Sequence, residues 1–499
     1  MLISNLTNKR TPDILECIAN LSSDEVFTTP QLANKILDLL PDEVWSNPDL
    51  RFLDPGCKTG IFLRESAKRL MTGLVEIIPD EDKRREHIFK NMLYGMAITE
   101  ITSLMSRRTL YYSKSGVSKN SVVDFTESDG NITYKNIKHK FGSNNKCVYC
   151  GSPKKLDRGD DLENHAYQFI HQEEASKMKF DVIIGNPPYQ LNDGGGGAGS
   201  SAMPIYQKFV ETAMDLNPRY LSMIIPSRWF AGGKGLDEFR SKMLSDKRLK
   251  VLVDHPNAED CFPGVRVIGG VCYFLWDVKH HGECEVISII GGEEINRATR
   301  NLDEHDTFIR LNEAIPIINK IRSKNETTLD KKVSSRRPFG LAADYDLYDK
   351  KEFENAVKVY ARGEIGFMHN DKVLTHKDWV DKYKVLISKA YGEEYDYPHH
   401  IIGKPILASP GSCCTETYLV VDVFDDKEKA INMEKYIKTR FFRFLLSLKK
   451  NTQNISKSIF SFVPDLDMSV EWTDEKLFQR YEITSEEQKF IESIVRETK

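Results

Sequence analysis

Short apolar runs alternate with amphipathic stretches along the first half of the chain. Runs rich in Val, Ile and Leu centre on residues 51–54, 180–185, 220–226 and 250–254. A strand with one wet face alternates apolar and polar side chains, whereas a strand covered on both faces is apolar almost throughout. These runs therefore predict buried parallel strands. Segments with a helical period lie between them, for instance 61–74 and 205–216. Strands and helices in this alternation predict a doubly wound α/β sheet.

One stretch breaks the pattern. Residues 112–177 turn polar, with clusters of Gly, Asn, Ser and Lys, and read as an insertion on the α/β core. Beyond residue 282 the alternation stops, and aromatic, basic and helical segments follow to the end. The expected organisation is a first domain over 1–282 and a second, mixed α/β domain over 283–499, each of ordinary domain size. No internal repeat is visible.

Bulk properties narrow the class. No apolar stretch approaches the roughly 18 residues of a membrane span, so no membrane partner is expected. The first residues lack the apolar centre of a signal peptide. Nine cysteines, an odd number, suit a reducing cytoplasm better than a disulfide framework, and the expected location is cytoplasmic. A net charge of -4 does not announce a polyanion binder, although phosphate contacts depend on local basic patches.

The sharpest chemical signal is Asn186-Pro187-Pro188-Tyr189, directly after the run 180–185. An exocyclic adenine amine is a poor nucleophile because its lone pair is delocalised into the ring. Two acceptors that take both N–H bonds draw the nitrogen toward a tetrahedral geometry. An Asn side-chain oxygen and the carbonyl of the first Pro can do this, since Pro keeps its C=O while losing its N–H. Paired prolines stiffen the turn, so the acceptors need little reorganisation. Tyr189 is suited to stacking on a base flipped out of a duplex.

A second constellation precedes it. Asp54-Pro55-Gly56-Cys57-Lys58-Thr59-Gly60 joins a predicted strand to the helix that begins near Ile61. Gly56 and Gly60 allow the close backbone approach that a nucleoside cofactor requires, and the helix N-terminus faces the ligand. Asp54 is placed to meet a cofactor ammonium.

Together these segments resemble the gamma-class N6-adenine DNA methyltransferases, particularly the modification enzymes of bacterial restriction systems. In that class a Phe-Thr-Pro-Pro-like segment, a glycine loop, the Asn-Pro-Pro-Tyr loop and a DNA-recognition domain follow in order. Here Phe27-Thr28-Thr29-Pro30 takes the first place. The resemblance covers most of the first 280 residues and extends loosely into 462–466. It implies a Rossmann-like methyltransferase domain, a C-terminal target-recognition domain, S-adenosylmethionine as cofactor and double-stranded DNA as partner. It also implies a role in restriction-modification or a related phage defence, with a separate restriction endonuclease as a candidate partner. Phe27, Thr28, Thr29 and Pro30 are then expected against the cofactor, and Phe262 and Trp229 in the base pocket. The sequence departs from the class after the second strand, where Ala97 stands in place of the acid that binds the ribose. Glu100 is the candidate substitute. Asn131 and Asp124 are both candidates for the cofactor's adenine end.

Three further features are outside that core. Cys147 and Cys150 form half of a zinc knuckle, and His165 and His171 follow at a spacing that completes it, so a structural zinc is a candidate. Four consecutive glycines, Gly194 to Gly197, read as a mobile loop after Tyr189. In the second domain, Lys438, Arg440, Arg443, Lys449, Lys450 and Lys457 interleave with Phe441, Phe442, Phe444 and Asn454. This mixture suits phosphate and base-edge contact, and Arg336 and Arg337 form a second candidate loop.

Competing chemistries are separable. Cytosine-C5 methylation needs a Pro-Cys thiolate, and no Pro-Cys occurs in the chain. N4-cytosine enzymes more often carry Ser in place of Asn186. RNA and glutamine-directed protein methyltransferases share Asn-Pro-Pro-Tyr but are mostly shorter. Pro464-Asp465 with Glu487-Gln488-Lys489 formally matches a nuclease pattern, yet 485–495 has helical periodicity where a strand is needed. The cofactor segment also stands at the start with no room ahead of it for a nuclease, so no cleavage activity is expected.

Overall fold

The computed structural model describes residues 26–154, 166–171, 179–191, 203–233, 235–265, 267–391, 400–450 and 454–497. Two compact units emerge, Met1–Phe308 and Ile309–Lys499. Gly194 to Gly197 and His165 lie outside the described residues.

All four predicted apolar runs become strands, and the first unit carries eleven strands among the described residues. In chain order these are β1 (Phe52–Cys57), β2 (Leu93–Ala97), β3 (Ile132–Thr133), β4 (Val182–Gly185), β5 (Gln190–Leu191), β6 (Met203–Pro204), β7 (Tyr220–Pro226), β8 (Leu249–His255), β9 (Val271–Asp277), β10 (Cys284–Ile290) and β11 (Glu293–Arg300). Nine of them form one sheet in the order β11-β10-β8-β9-β7-β4-β1-β2-β3, while β5 and β6 pair separately. The pairs from β3 to β7 are parallel, and β9 runs antiparallel between β7 and β8. Successive side chains point to opposite faces, so each strand feeds two cores. Phe52, Val182, Ile184, Ile224 and Tyr273 face one side. Leu53, Ile183, Met223, Ile225 and Phe274 face the other. This is why the runs are apolar without alternation, and the doubly wound reading holds.

The two units divide at Phe308, later than the predicted boundary at 282. The last two strands of the sheet, β10 and β11, are an antiparallel hairpin rather than another βα repeat. Its turn uses Gly291 and Gly292, both at positive φ (62° and 83°), as a two-residue hairpin loop of this kind requires. A change of connection, not of core, ended the alternation in the sequence. The predicted insertion is likewise tied into the fold, because β3 pairs with β2 and forms the sheet edge.

The second unit carries two three-stranded sheets, ordered β13-β12-β16 and β15-β14-β17. Their strands are β12 (Val357–Ala361), β13 (Glu364–Met368), β14 (Tyr383–Ser388), β15 (Ile406–Ala408), β16 (Ser412–Cys414) and β17 (Tyr418–Phe424). Helices Ala314–Ser323, Lys427–Lys438, Arg440–Ser447 and Ser485–Ile494 contribute to a core of their own. This is the mixed α/β architecture expected. No helix among the described residues is long and apolar enough to cross a membrane.

Candidate active site

In a doubly wound sheet, ligands sit where the crossovers on two adjacent strands run in opposite directions. β1 and β4 are that pair. Phe52 stands beside Val182 and Leu53 beside Ile183, while β1 continues sideways to β2 and β4 to β7. The glycine segment and the Asn-Pro-Pro-Tyr loop therefore leave neighbouring strands at the same sheet edge.

Asn186 is 4% exposed. Its amide nitrogen donates to the Val26 carbonyl at 3.0 Å and to the Thr28 hydroxyl at 3.1 Å. A carbonyl can only accept, so this contact decides which end of the amide faces Val26. The other end, Oδ1, is buried with no partner among the described residues. Pro187 and Pro188 are buried beside it. Tyr189 is half-buried, packs on the same face as Phe262, and encloses its hydroxyl without a partner among the described residues.

The segment expected against the cofactor instead reaches Asn186 first. Thr28 holds the Asn186 amide, and Thr29 caps helix Pro30–Leu37 by accepting from the Leu32 N–H at 3.3 Å, with Pro30 in the first helical position. Phe27 is buried. Lys58, which the sequence pattern does not single out, is buried and donates to the Val26 carbonyl at 3.0 Å. Val26 meets Asn186 and Lys58 through its backbone oxygen, which no side-chain pattern reveals.

Asp54 is buried, and its Oδ1 accepts from the Gly56 N–H at 3.2 Å. Burial pushes its carboxyl up to about 7, against the opposing pull of that N–H and of the Lys58 charge. Gly60 has φ +75° as the N-cap of helix Ile61–Gly73, and a Cβ there would approach Ser106 Cα to 3.1 Å. Ser106 in turn donates to the Lys58 carbonyl at 2.9 Å. Pro55 lies within β1.

Other expectations divide. Glu100 opens helix Glu100–Tyr111, exposed just past the carboxyl end of β2. Asn131 is corrected: its amide donates to the Phe89 and Lys90 carbonyls at 3.0 and 2.9 Å, closing the turn that leads into β2. That spends its donors at the amino end of the strand, away from the crevice. Trp229 is corrected as well. It is fully buried against Phe230, Phe239 and Phe308 on the face opposite Tyr189 and Phe262, a core position rather than a pocket wall.

The metal expectation gains a residue, while His165 lies outside the described residues. His139, Cys147, Cys150 and His171 bring their ligand atoms within 4.8 Å of one another. His139 precedes the cysteines, whereas the zinc-knuckle spacing expects its histidines after them. Burial holds the His171 imidazole down to about 4 and pushes the Cys150 thiol up to about 12.

In the second unit the basic helix is mostly core. Phe441, Phe442, Phe444, Leu445 and Leu446 are all fully buried. Arg443 is buried with them and donates to the Thr439 and Arg496 carbonyls, and Lys449 donates to Ser461 while lying over the Phe462 ring. These two are corrected from DNA contacts to internal ties, because aromatic residues on several sides of the helix leave it no wet face. Lys438 pairs with Glu434, Arg440 with Glu492 and Glu497, and Lys450 donates to the Tyr391 carbonyl. Lys457 is exposed. Arg336 and Arg337 are exposed and share Glu416 with Lys389 at 2.5–2.7 Å. These three cations hold the Glu416 carboxyl down to about 2 although burial opposes them, and the cluster keeps a positive surplus. The formal nuclease residues are otherwise engaged: Glu487 caps helix Ser485–Ile494 and pairs with Lys320 at 2.6 Å.

Comparison with known proteins adds a family. A family model described as Eco57I restriction-modification methylase matches residues 91–262. A curated protein of Mycoplasma pneumoniae, described as an uncharacterized adenine-specific methylase, is 39% identical over 323 residues, which are 58% of this chain and 76% of that protein. Among solved structures, the type IIL restriction-modification enzyme MmeI in complex with DNA aligns with a TM-score of 0.48 at 10% identity, covering 92% of this chain and 65% of that one. A nuclease-deletion mutant of the type ISP enzyme LlaGI, in complex with a DNA substrate mimic, aligns with a TM-score of 0.48 at 11% identity, covering 87% and 45%. The chain spans less than two thirds of the length of either solved chain.

Proposed function

We infer that this chain, which belongs to the Eco57I family of restriction-modification methylases and is an adenine-specific DNA methyltransferase, acts on the N6 amine of an adenine flipped out of double-stranded DNA. S-adenosylmethionine, when bound, supplies the methyl group from its sulfonium. The residues present fit that cofactor: the buried Asp54 carboxyl suits its ammonium, and Gly56 lets the glycine segment close on the Asn-Pro-Pro-Tyr loop beside it. Pro55, Phe27 and Glu100 border the same edge of the sheet.

The observation that carries the reading is the Asn186 Oδ1, buried with no partner among the described residues. Its amide nitrogen is tied to Val26 and Thr28, so the oxygen is held in a buried position with an unused lone pair. Burying an acceptor without a partner costs about 1–3 kcal/mol, a cost that a donated N–H from a bound base removes. Asn186 Oδ1 and the Pro187 carbonyl accept hydrogen bonds from the two amine N–H groups, which concentrates the nitrogen lone pair for attack on the methyl group, and one of the two amine protons is then lost to solvent. Tyr189 and Phe262, on one face of the sheet, provide the apolar surface for the flipped ring. The exposed Arg336 and Arg337 carry the surplus charge for phosphate contact. In this reading the chain is the modification component of a restriction-modification or related phage-defence system, working beside a separate endonuclease.

Methylation of a mixed DNA library followed by modification-sensitive sequencing tests the reading. N6-methyladenine at a defined site is expected. Transfer to cytosine, RNA or protein instead would overturn the choice of substrate. Replacing the target adenine with 2-aminopurine, which lacks the N6 amine, should abolish transfer and leave binding intact.

A further inference from the structure

We propose that His139, Cys147, Cys150 and His171 hold a structural zinc ion that fastens the polar segment 112–177 to the core of the methyltransferase unit. The four ligand atoms already lie within 4.8 Å of one another, in the Cys2His2 combination that zinc favours. Zn–S bonds of about 2.3 Å and Zn–N bonds of about 2.0–2.1 Å at a tetrahedral angle put sulfur and nitrogen roughly 3.5 Å apart. Cys147 Sγ stands 3.5 Å from His171 Nε2, and Cys150 Sγ stands 3.5 Å from His139 Nδ1. Both spacings match a shared ion between the atoms.

The surroundings orient the ligands. His171 Nδ1 lies 2.9 Å from the Tyr167 carbonyl. A carbonyl can only accept, so the ring proton sits on Nδ1 and the lone pair of Nε2 faces the cysteines. Zinc-binding histidines are commonly fixed by such a contact on the far nitrogen. The two cysteines flank a tight turn in which the Gly151 N–H donates to the Cys147 carbonyl at 2.9 Å, with Gly151 at φ +74°. The four ligands fill a tetrahedron and leave no open position, so the site is structural rather than catalytic.

Its placement gives the ion a task. His171 ends helix Gln168–His171, and the neighbouring Tyr167 and Phe169 both pack on Phe209 of helix Tyr206–Asp215. Cys147 and Cys150 belong to the same buried cluster as Ile183 of β4. Among the described residues 112–154, β3 is the only strand, and a metal crosslink closes this stretch against the strand that leads to Asn186.

Elemental analysis of the full-length chain, purified without chelator, should find one zinc per chain. Cobalt(II) exchanged into the wild type should give the intense visible bands of a tetrahedral site with sulfur-to-metal charge transfer. Zinc should be lost from His139→Ala and from Cys147→Ser, recovered in His139→Cys, and unchanged in His165→Ala. Chelator should lower the melting temperature of the wild type, and added zinc should restore it. Protein that takes up no zinc when equilibrated with it, or a weak octahedral cobalt spectrum, overturns the proposal. Zinc retained in His139→Ala but lost from His165→Ala overturns the ligand set.

Discussion

A Cβ atom placed on Gly56 would lie 3.2 Å from Pro187 Cα and 3.4 Å from the Asn186 carbonyl oxygen. The glycine segment is thus in backbone contact with the Asn-Pro-Pro-Tyr loop. The sequence offers a cofactor's approach as the reason for a glycine at this position, but the nearest atoms belong to the chain itself. Gly56→Ala should push the two loops apart at a cost of about 1–3 kcal/mol, typical of overpacking. Turnover should then fall more than cofactor affinity. Calorimetry and single-turnover methylation separate the two, and a variant that lost only cofactor affinity would show that the loop contact is incidental.

Asp54 makes cofactor binding depend on pH. Its carboxyl titrates at about 7 because burial disfavours the charge. If the ionised form holds the cofactor ammonium, affinity should rise roughly tenfold between about pH 6 and pH 8 as the carboxyl ionises. The cofactor-free protein should show the opposite trend. A carboxyl raised in the folded state lends its full stability below the ordinary carboxylate range and loses it as pH climbs through about 7. Asp54→Asn should flatten both profiles. A binding profile that keeps its slope in that variant assigns the titration to another group.

Asn186→Ala removes one oriented acceptor and should cost about 2.7–4 kcal/mol in the transition state, a rate loss of roughly a hundred- to a thousand-fold. Cofactor affinity should barely change. Thr28→Val removes one of the two contacts that hold the amide and should lower the methylation rate to a smaller extent. Methyl transfer at the normal rate by Asn186→Ala would refute the amine mechanism.

The two classes of basic residue in the second unit should respond differently. Arg337→Ala should weaken DNA binding across sequences and reduce its salt dependence by about one phosphate contact. Arg443→Ala should instead destabilise the fold by about 1–3 kcal/mol, because it abandons the buried Thr439 carbonyl and the tie to Arg496. Filter binding over a salt series and chemical denaturation decide between them. An unchanged salt slope for Arg337→Ala removes that loop from the DNA surface.

The local pattern along the chain was enough for β1, β4, β7 and β8 and for the order of the chemical segments. A strand covered on both faces must be apolar throughout, so 220–226 could be placed without a neighbour in view. Asn186-Pro187-Pro188-Tyr189 could likewise be read as an acceptor pair, since that chemistry lies within four consecutive residues. Interactions between distant segments were decided only by the tertiary structure. Nothing local joins Val26 and Thr28 to Asn186, or brings His139 to Cys150. Arg443 and Lys449 read as surface charges because composition cannot report burial, and only the packed aromatic helix turns them inward. The hairpin of β10 and β11 closed the sheet beyond the predicted boundary for the same reason. A strand's membership in a sheet depends on its hydrogen-bonded neighbour, which is a property of the folded chain and not of the strand's own residues.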